Sequence, residues 1–149
     1  GNLVVHPNFS IYNVPKVDIL IVPGGSGTRA ILDKANVIQW IKDQSEQVEI
    51  LASICTGALA LAKAGLLNGL EVTTHNTCRE ELKKLLPDDS TVVQKRYVDH
   101  GKILTAGGIS AGMDMCLYLV RKLLGEEALE ETTKEMEYTW TPDVSSAWQ

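Results

Sequence analysis

One of the three cysteines, Cys55, stands where a nucleophile would. It ends the apolar run at residues 49–54 and is followed at once by Thr56, Gly57 and Ala58. A strand running straight into a helix with a reactive residue at the junction is the layout of a nucleophile elbow. The backbone there is strained, so the residues two before and two after must be small. Ser53 and Gly57 meet that demand. The N-terminus of the following helix would face the thiol, an arrangement that favours the anionic, nucleophilic form of a cysteine. The competing reading is a small buried core residue. It explains neither the small flanking residues nor the switch from strand to helix.

Three further stretches could join this residue. Pro23-Gly24-Gly25-Ser26-Gly27 follows an apolar run at 18–22. It is neither a GxxxxGK[ST] phosphate loop nor a GxGxxG fingerprint. Beside an elbow it could donate one backbone N–H of an oxyanion hole, with the N–H of Thr56 donating the other. His75 ends the run 72–74, on the sheet edge where Cys55 is expected. It could act as a base, orient the thiolate or bind substrate; equally it could be a packing residue. Gly107-Gly108-Ile109 ends another strand and feeds a helix, so it could wall the same pocket. Gly24, Ser26, Gly108 and Ile109 are the expected substrate contacts. Asp114 reads as a first-turn carboxylate favoured by the helix dipole. Cys116 reads as core, Cys78 as more open, His6 as a surface residue and His100 as part of a turn.

The elements that must position these residues alternate between two periods. Residues 18–22 read as a strand buried on both faces, and 49–54 as a second strand. Residues 28–45 read as helical, in one or two pieces, and 56–64 as a short helix of small and aliphatic residues. Residues 72–74 read as a third strand, 79–86 as a helix stopped by Pro87, and 91–98 with 102–105 as strands paired around the turn at 99–101. Ser110 looks like the N-cap and Gly125 the C-terminal stop of a long helix over 110–124. The acid-rich stretch 126–137 reads as a solvated helix. The segment 138–149, with Trp140, Pro142 and Trp148, is expected to dock. Residues 3–5 make only a weak strand. Alternating strands and helices predict an α/β architecture with a mainly parallel sheet.

The chain has 149 residues, which suits a single domain. Hydrophobic residues make up 44% and charged residues 22%, excluding a disordered or fibrous chain. A net charge of −5, with no Lys/Arg cluster, argues against nucleic acid as a partner. The longest apolar run, 50–62, is interrupted by Ser53, Thr56 and Gly57 and is too short to span a bilayer. No secretory signal opens the sequence. Three scattered cysteines without a CxxC suggest neither a disulfide framework nor a zinc site, and fit a reducing, cytoplasmic setting. No metal and no cofactor is expected.

At these motifs the chain resembles the ThiJ/PfpI family of the class I glutamine amidotransferase-like superfamily. The matching stretches are Asp18-Ile19-Leu20-Ile21-Val22-Pro23-Gly24-Gly25, Ser53-Ile54-Cys55-Thr56-Gly57-Ala58, Thr73-Thr74-His75, and Thr105-Ala106-Gly107-Gly108-Ile109-Ser110-Ala111-Gly112-Met113-Asp114. The resemblance implies a flavodoxin-like three-layer α/β sandwich and a homodimer. It implies Cys55 as nucleophile and the N–H groups of Gly25 and Thr56 as the oxyanion site. Thr56 directly after the cysteine is similar to the isonitrile hydratase-like branch and unlike the protease branch, which carries His there. Family members begin with a further strand, helix and strand, whose first loop carries an acid that hydrogen-bonds the cysteine. By that comparison the chain reads as an N-terminally truncated single domain.

The expected activity is a cysteine-dependent hydratase or lyase acting on a small electrophile, converting an isonitrile to an N-substituted formamide. Two alternatives remain open. One is a redox or small-ligand sensor without turnover. The other is a glyoxalase- or deglycase-like activity on reactive aldehydes.

Overall fold

The computed structural model describes residues 3–140. A four-stranded sheet forms its middle layer. It is built from β1 (Ile19–Val22), β2 (Ile50–Ile54), β5 (Tyr97–His100) and β6 (Ile103–Ala106), in the order β1-β2-β6-β5. β1, β2 and β6 run parallel, with Val22, Ser53 and Thr105 in register across them. β5 and β6 form the expected antiparallel hairpin, with Gly101 at φ 79° in its turn.

Helices cover both faces. On one side lie α1 (Thr28–Leu32), α2 (Ala35–Gln47), α3 (Gly57–Lys63) and α4 (Arg79–Lys83). Their core joins Val22, Leu51, Leu59, Leu61, Leu67 and Leu82. On the other side α5 (Ser110–Leu124) packs Met115 and Leu119 against Ile50, Ala52 and Leu104. Along β2 the side chains alternate, Ile50 and Ala52 to one core and Leu51 to the other, so this strand is buried on both faces. α6 (Glu126–Glu135) closes the helical layer and buries Leu129. The result is the α/β, flavodoxin-like three-layer arrangement.

Several sequence expectations are corrected. β1 is not buried on both faces: Ile19 and Ile21 are 40% and 39% exposed. β1 is an edge strand of the described sheet, and its α5-facing side meets an apolar groove with Leu119, Leu123 and Leu124 rather than a packed layer. Residues 72–74 do not extend the main sheet. Glu71–Val72 forms β3, which pairs in parallel with β4 (Thr91–Val92) as a separate two-stranded ladder. Thr73 and Thr74 continue past it, and the Thr73 N–H donates to Thr105 Oγ1 at 3.0 Å, a side chain substituting for a strand partner.

The stretch 91–98 breaks between β4 and β5. Residues 3–5 are exposed and not a strand. Ser110 is the first helical residue rather than the cap. Ile109, at φ 48°, holds the cap position, and the Ser110 hydroxyl accepts from Arg96 at 3.0 Å. Of the 138–149 segment, Pro142 and Trp148 lie outside the described residues. Trp140 Nε1 donates to the Asp114 carbonyl at 3.2 Å.

Candidate active site at the β2–α3 junction

Cys55 sits between β2 and α3 with φ 58°, one of three non-glycine residues with positive φ among those described. An L-residue adopts that conformation only where surrounding contacts impose it. Those contacts are explicit. The Cys55 N–H donates to the carbonyls of Ala106 and Gly107, both at 3.0 Å. Its carbonyl accepts from Thr74 Oγ1 at 2.7 Å. The next turn approaches β1 so closely that a side chain at Gly57 would overlap the Val22 carbonyl. The small residue demanded two positions after the cysteine is therefore a packing requirement.

The loop after β1 closes on the same junction. A Cβ at Gly24 would lie 2.6 Å from Thr56 N, 2.7 Å from its hydroxyl and 2.9 Å from Cys55 Cβ. The Gly25 N–H donates to Thr56 Oγ1 at 2.9 Å, and the same hydroxyl meets Thr28 Oγ1 at 3.0 Å. Gly25, at φ 123°, has the backbone freedom this turn needs. Ser26 is exposed beyond it. Gly24, Gly25 and Thr56 thus meet around Cys55, with the Gly25 N–H engaged by a protein oxygen.

His75, Gly108 and Ile109 gather on a second side. They line a cavity of about 220 Å³ with Thr74, Arg79 and Lys95. The His75 ring packs directly on Gly108, which has no room for a side chain. Its Nδ1 lies 2.9 Å from Thr77 Oγ1 and 3.4 Å from the Thr77 N–H. No hydrogen bond joins His75 to the Cys55 thiol among the described residues. Their link is indirect, through Thr74, whose hydroxyl holds the Cys55 carbonyl. Ile109 is 81% exposed at the rim.

The other candidates fall elsewhere. Cys78 is buried, not open; its sulfur accepts from Arg29 Nη2 at 3.5 Å. Cys116 is half-buried at an apolar groove between α5 and β1 rather than in the core, and burial pushes its thiol up from the ordinary range. Asp114 lies beyond the first turn of α5 and is buried. Its carboxylate pairs with Arg96 and accepts from Tyr138 Oη at 2.9 Å. His6 is exposed as expected, and His100 ends β5 with Nε2 2.7 Å from the Glu71 carbonyl. Reasoning along the sequence missed Arg79: its Nε is buried without a hydrogen-bond partner. Its cavity neighbours combine Thr74, His75 and Asn76 just before it with Lys95 and the Gly107–Ser110 stretch, and that second group is distant in sequence. All three cysteines are free, and among the described residues no group of His, Cys, Asp or Glu could hold a metal ion.

A mainly parallel sheet whose central strand delivers a strained cysteine to a helix defines an elbow-type α/β protein. The family model described as DJ-1/PfpI matches residues 2–122, and the chain belongs to this family. It is 33% identical over 145 residues to isonitrile hydratase of Pseudomonas putida, covering 97% of this chain and 62% of that protein. It is 32% identical over 125 residues to the HTH-type transcriptional regulator GbdR of Pseudomonas aeruginosa, covering 84% of this chain and 34% of that protein. A crystal structure of a ThiJ/PfpI family protein from Pseudomonas syringae superposes with TM-score 0.85 at 28% identity, covering 96% of this chain and 59% of that one. The chain thus spans about three-fifths of the length of these first relatives or less.

Proposed function

We propose that this chain carries the nucleophile of a cysteine-dependent hydratase acting on a small electrophile, with an isonitrile as the preferred substrate class. The observation that carries the reading is Cys55 at φ 58° on the β2–α3 junction. Similarity to isonitrile hydratase over 97% of the chain supports the substrate class. In the proposed reaction the Cys55 thiolate attacks the terminal carbon of R–N≡C, and that carbon takes a proton to give a thioimidate. Water adds to the same carbon, the C–S bond breaks, and the thiolate leaves as R–NH–CHO forms. Thr56 and Gly25 N–H groups stabilise the developing anion, and His75 positions the substrate. The reading includes a cytoplasmic homodimer needing no cofactor or metal. Among the described residues no helix is long and apolar enough to cross a membrane.

The test is turnover of an alkyl isonitrile by the protein and by Cys55→Ala, with intact mass after acid quench. The expected result is formamide production lost in the variant and a transient mass gain of one isonitrile on Cys55. Turnover that survives Cys55→Ala overturns the reading. Similarity to a transcriptional regulator favours a second reading, a ligand or redox sensor. Stoichiometric oxidation of Cys55 with no consumption of isonitrile or methylglyoxal would select it.

A further inference from the structure

The cavity beside the elbow holds a charge that nothing in the described protein neutralises. Three cations lie in or next to it. Lys95 Nζ pairs with Glu71 at 2.6 Å, and Arg96 pairs with Asp114. Arg79 has neither an ion pair nor a hydrogen bond among the described residues, and its Nε is buried. The acids beside it on α4 are committed elsewhere, Glu80 to Lys83 at 2.7 Å and Glu81 to Arg29 at 2.6 Å. Among the described residues no acidic side chain lines the cavity. Arg79 also lines the cavity, and a guanidinium with no carboxylate opposite it favours an anionic ligand that can accept from its N–H groups.

The remaining lining supplies donors. If the Thr77 N–H donates to His75 Nδ1, the ring proton lies on Nε2, the edge packed on Gly108. Asn76 also lies in the lining. Ser110 accepts from Arg96 and keeps its own proton to give. The first turn of the 15-residue α5 forms part of the wall, where the helix field favours an anion. Two lining residues adjoin Cys55 directly. Thr74 and Gly107 each bond the Cys55 backbone.

We propose that this cavity is a carboxylate subsite, in which Arg79 takes the acidic end of a substrate whose electrophilic end meets Cys55. One uncompensated positive charge matches a monoanion better than a phosphate dianion. The planar fork of a guanidinium fits the two oxygens of a carboxylate. Resting on the reading of Cys55 as nucleophile, the inference narrows the substrate from any small electrophile to one bearing a carboxylate.

Two alkylating reagents with the same leaving group test it. Iodoacetate carries a carboxylate where iodoacetamide carries a neutral amide. Their rates at Cys55 are read by mass spectrometry, with Cys55→Ser as background. The iodoacetate-to-iodoacetamide rate ratio is expected to fall at least tenfold in Arg79→Gln and to recover in part in Arg79→Lys. An unchanged ratio in Arg79→Gln overturns the subsite. An acetate titration of Cys55→Ser protein, followed at the Arg79 Nε–H and Gly108 amide resonances, is read independently of any thiol chemistry. Shifts there, together with a Cys55 inert to both reagents, would keep the subsite and discard the nucleophile. Resonances unmoved by acetate, or moved at lower concentration by inorganic phosphate, overturn the carboxylate assignment.

Discussion

The Gly25 N–H donates to the Thr56 hydroxyl at 2.9 Å, so one of the two backbone donors expected to meet an oxyanion is already bonded to a protein oxygen. The bond joins residues 31 apart and pins the loop after β1 to the first residue beyond Cys55. For Gly25 to serve a substrate, the hydroxyl must first turn away. Thr56 Oγ1 can do so without losing all its partners, since Thr28 Oγ1 at 3.0 Å and the Gly25 carbonyl at 3.2 Å lie within reach.

Thr56→Val keeps the shape of this residue and deletes the hydroxyl. It strands the buried Thr28 hydroxyl and the Gly25 amide. The expected cost is about 1–3 kcal/mol by urea denaturation, the range for a buried group left unpaired. Thr56→Ser is expected to stay within about 0.5 kcal/mol of the parent, because the bonds persist. Equal loss in both variants would mean the methyl packing matters and the hydroxyl does not.

Gly24→Ala places a methyl 2.6 Å from Thr56 N, closer than a Cβ approaches the backbone of a residue that is not its chain neighbour. Backbone has to move, and the atoms that move include the Cys55 Cβ. Iodoacetamide alkylation of Cys55 is expected to change by about tenfold or more, since an elbow works only within tight geometric limits. Gly27→Ala is the control, because a Cβ there meets open space. It should match the parent in rate and Tm.

Asp114 and Arg96 form an ion pair with side chains 7% and 19% exposed. Asp114→Ala leaves the guanidinium in the interior without its carboxylate and releases the hydroxyl of Tyr138. A loss of about 3–5 kcal/mol is expected, the usual effect of breaking a buried pair from one side. Thermal denaturation reads it. A drop under about 1 kcal/mol would show that solvent reaches Arg96 readily.

Tyr118 and Asp99 give the fold a pH limit at each end. Tyr118 Oη donates to Asp99 Oδ2 at 2.6 Å, and that bond, aided by burial, pushes the phenol up to about 12. A raised phenol contributes stability that is complete below its unfolded value of about 10. That contribution is lost as pH climbs from there to about 12. Burial pushes Asp99 up, but bonds from Lys122, Tyr118 and the Gly101 amide outweigh it and hold the carboxylate below its usual range. Its contribution is present above pH 4 and fades as pH falls through the lowered value. Tyr118→Phe is therefore expected to flatten the alkaline limb of a Tm-against-pH curve, and Asp99→Asn the acid limb. Variant curves parallel to the parent's at both ends would exclude this linkage.

What could be seen along the sequence was what neighbours in sequence decide. The β2–Cys55–α3 junction, α5 with Gly125 at its end, and the hairpin around Gly101 each carry their cause within a few residues. What escaped depends on distant chain. Ile19 and Ile21 have the composition of a doubly buried strand, yet their exposure follows from what lies beside β1. Cys78 is buried, with Arg29, 49 residues earlier, donating to its sulfur, and the sequence around it gives no sign of that. The Asp114 pair spans 18 residues and the Gly25–Thr56 bond 31. Arg79 reads along the sequence as a polar residue at a helix start, and only the fold shows its Nε buried without a partner.

The left-handed backbone at position 55 has one more consequence. Glycine alone occupies that conformation without steric penalty, so the fold by itself would rest more comfortably with no side chain there. Cys55→Gly should melt at a higher temperature than the parent, and Cys55→Val, branched at Cβ, well below it. Thermal tolerance and thiol chemistry thus pull in opposite directions at a single residue. A screen for heat-resistant variants of this chain would drift toward a protein that has given up its reactive sulfur.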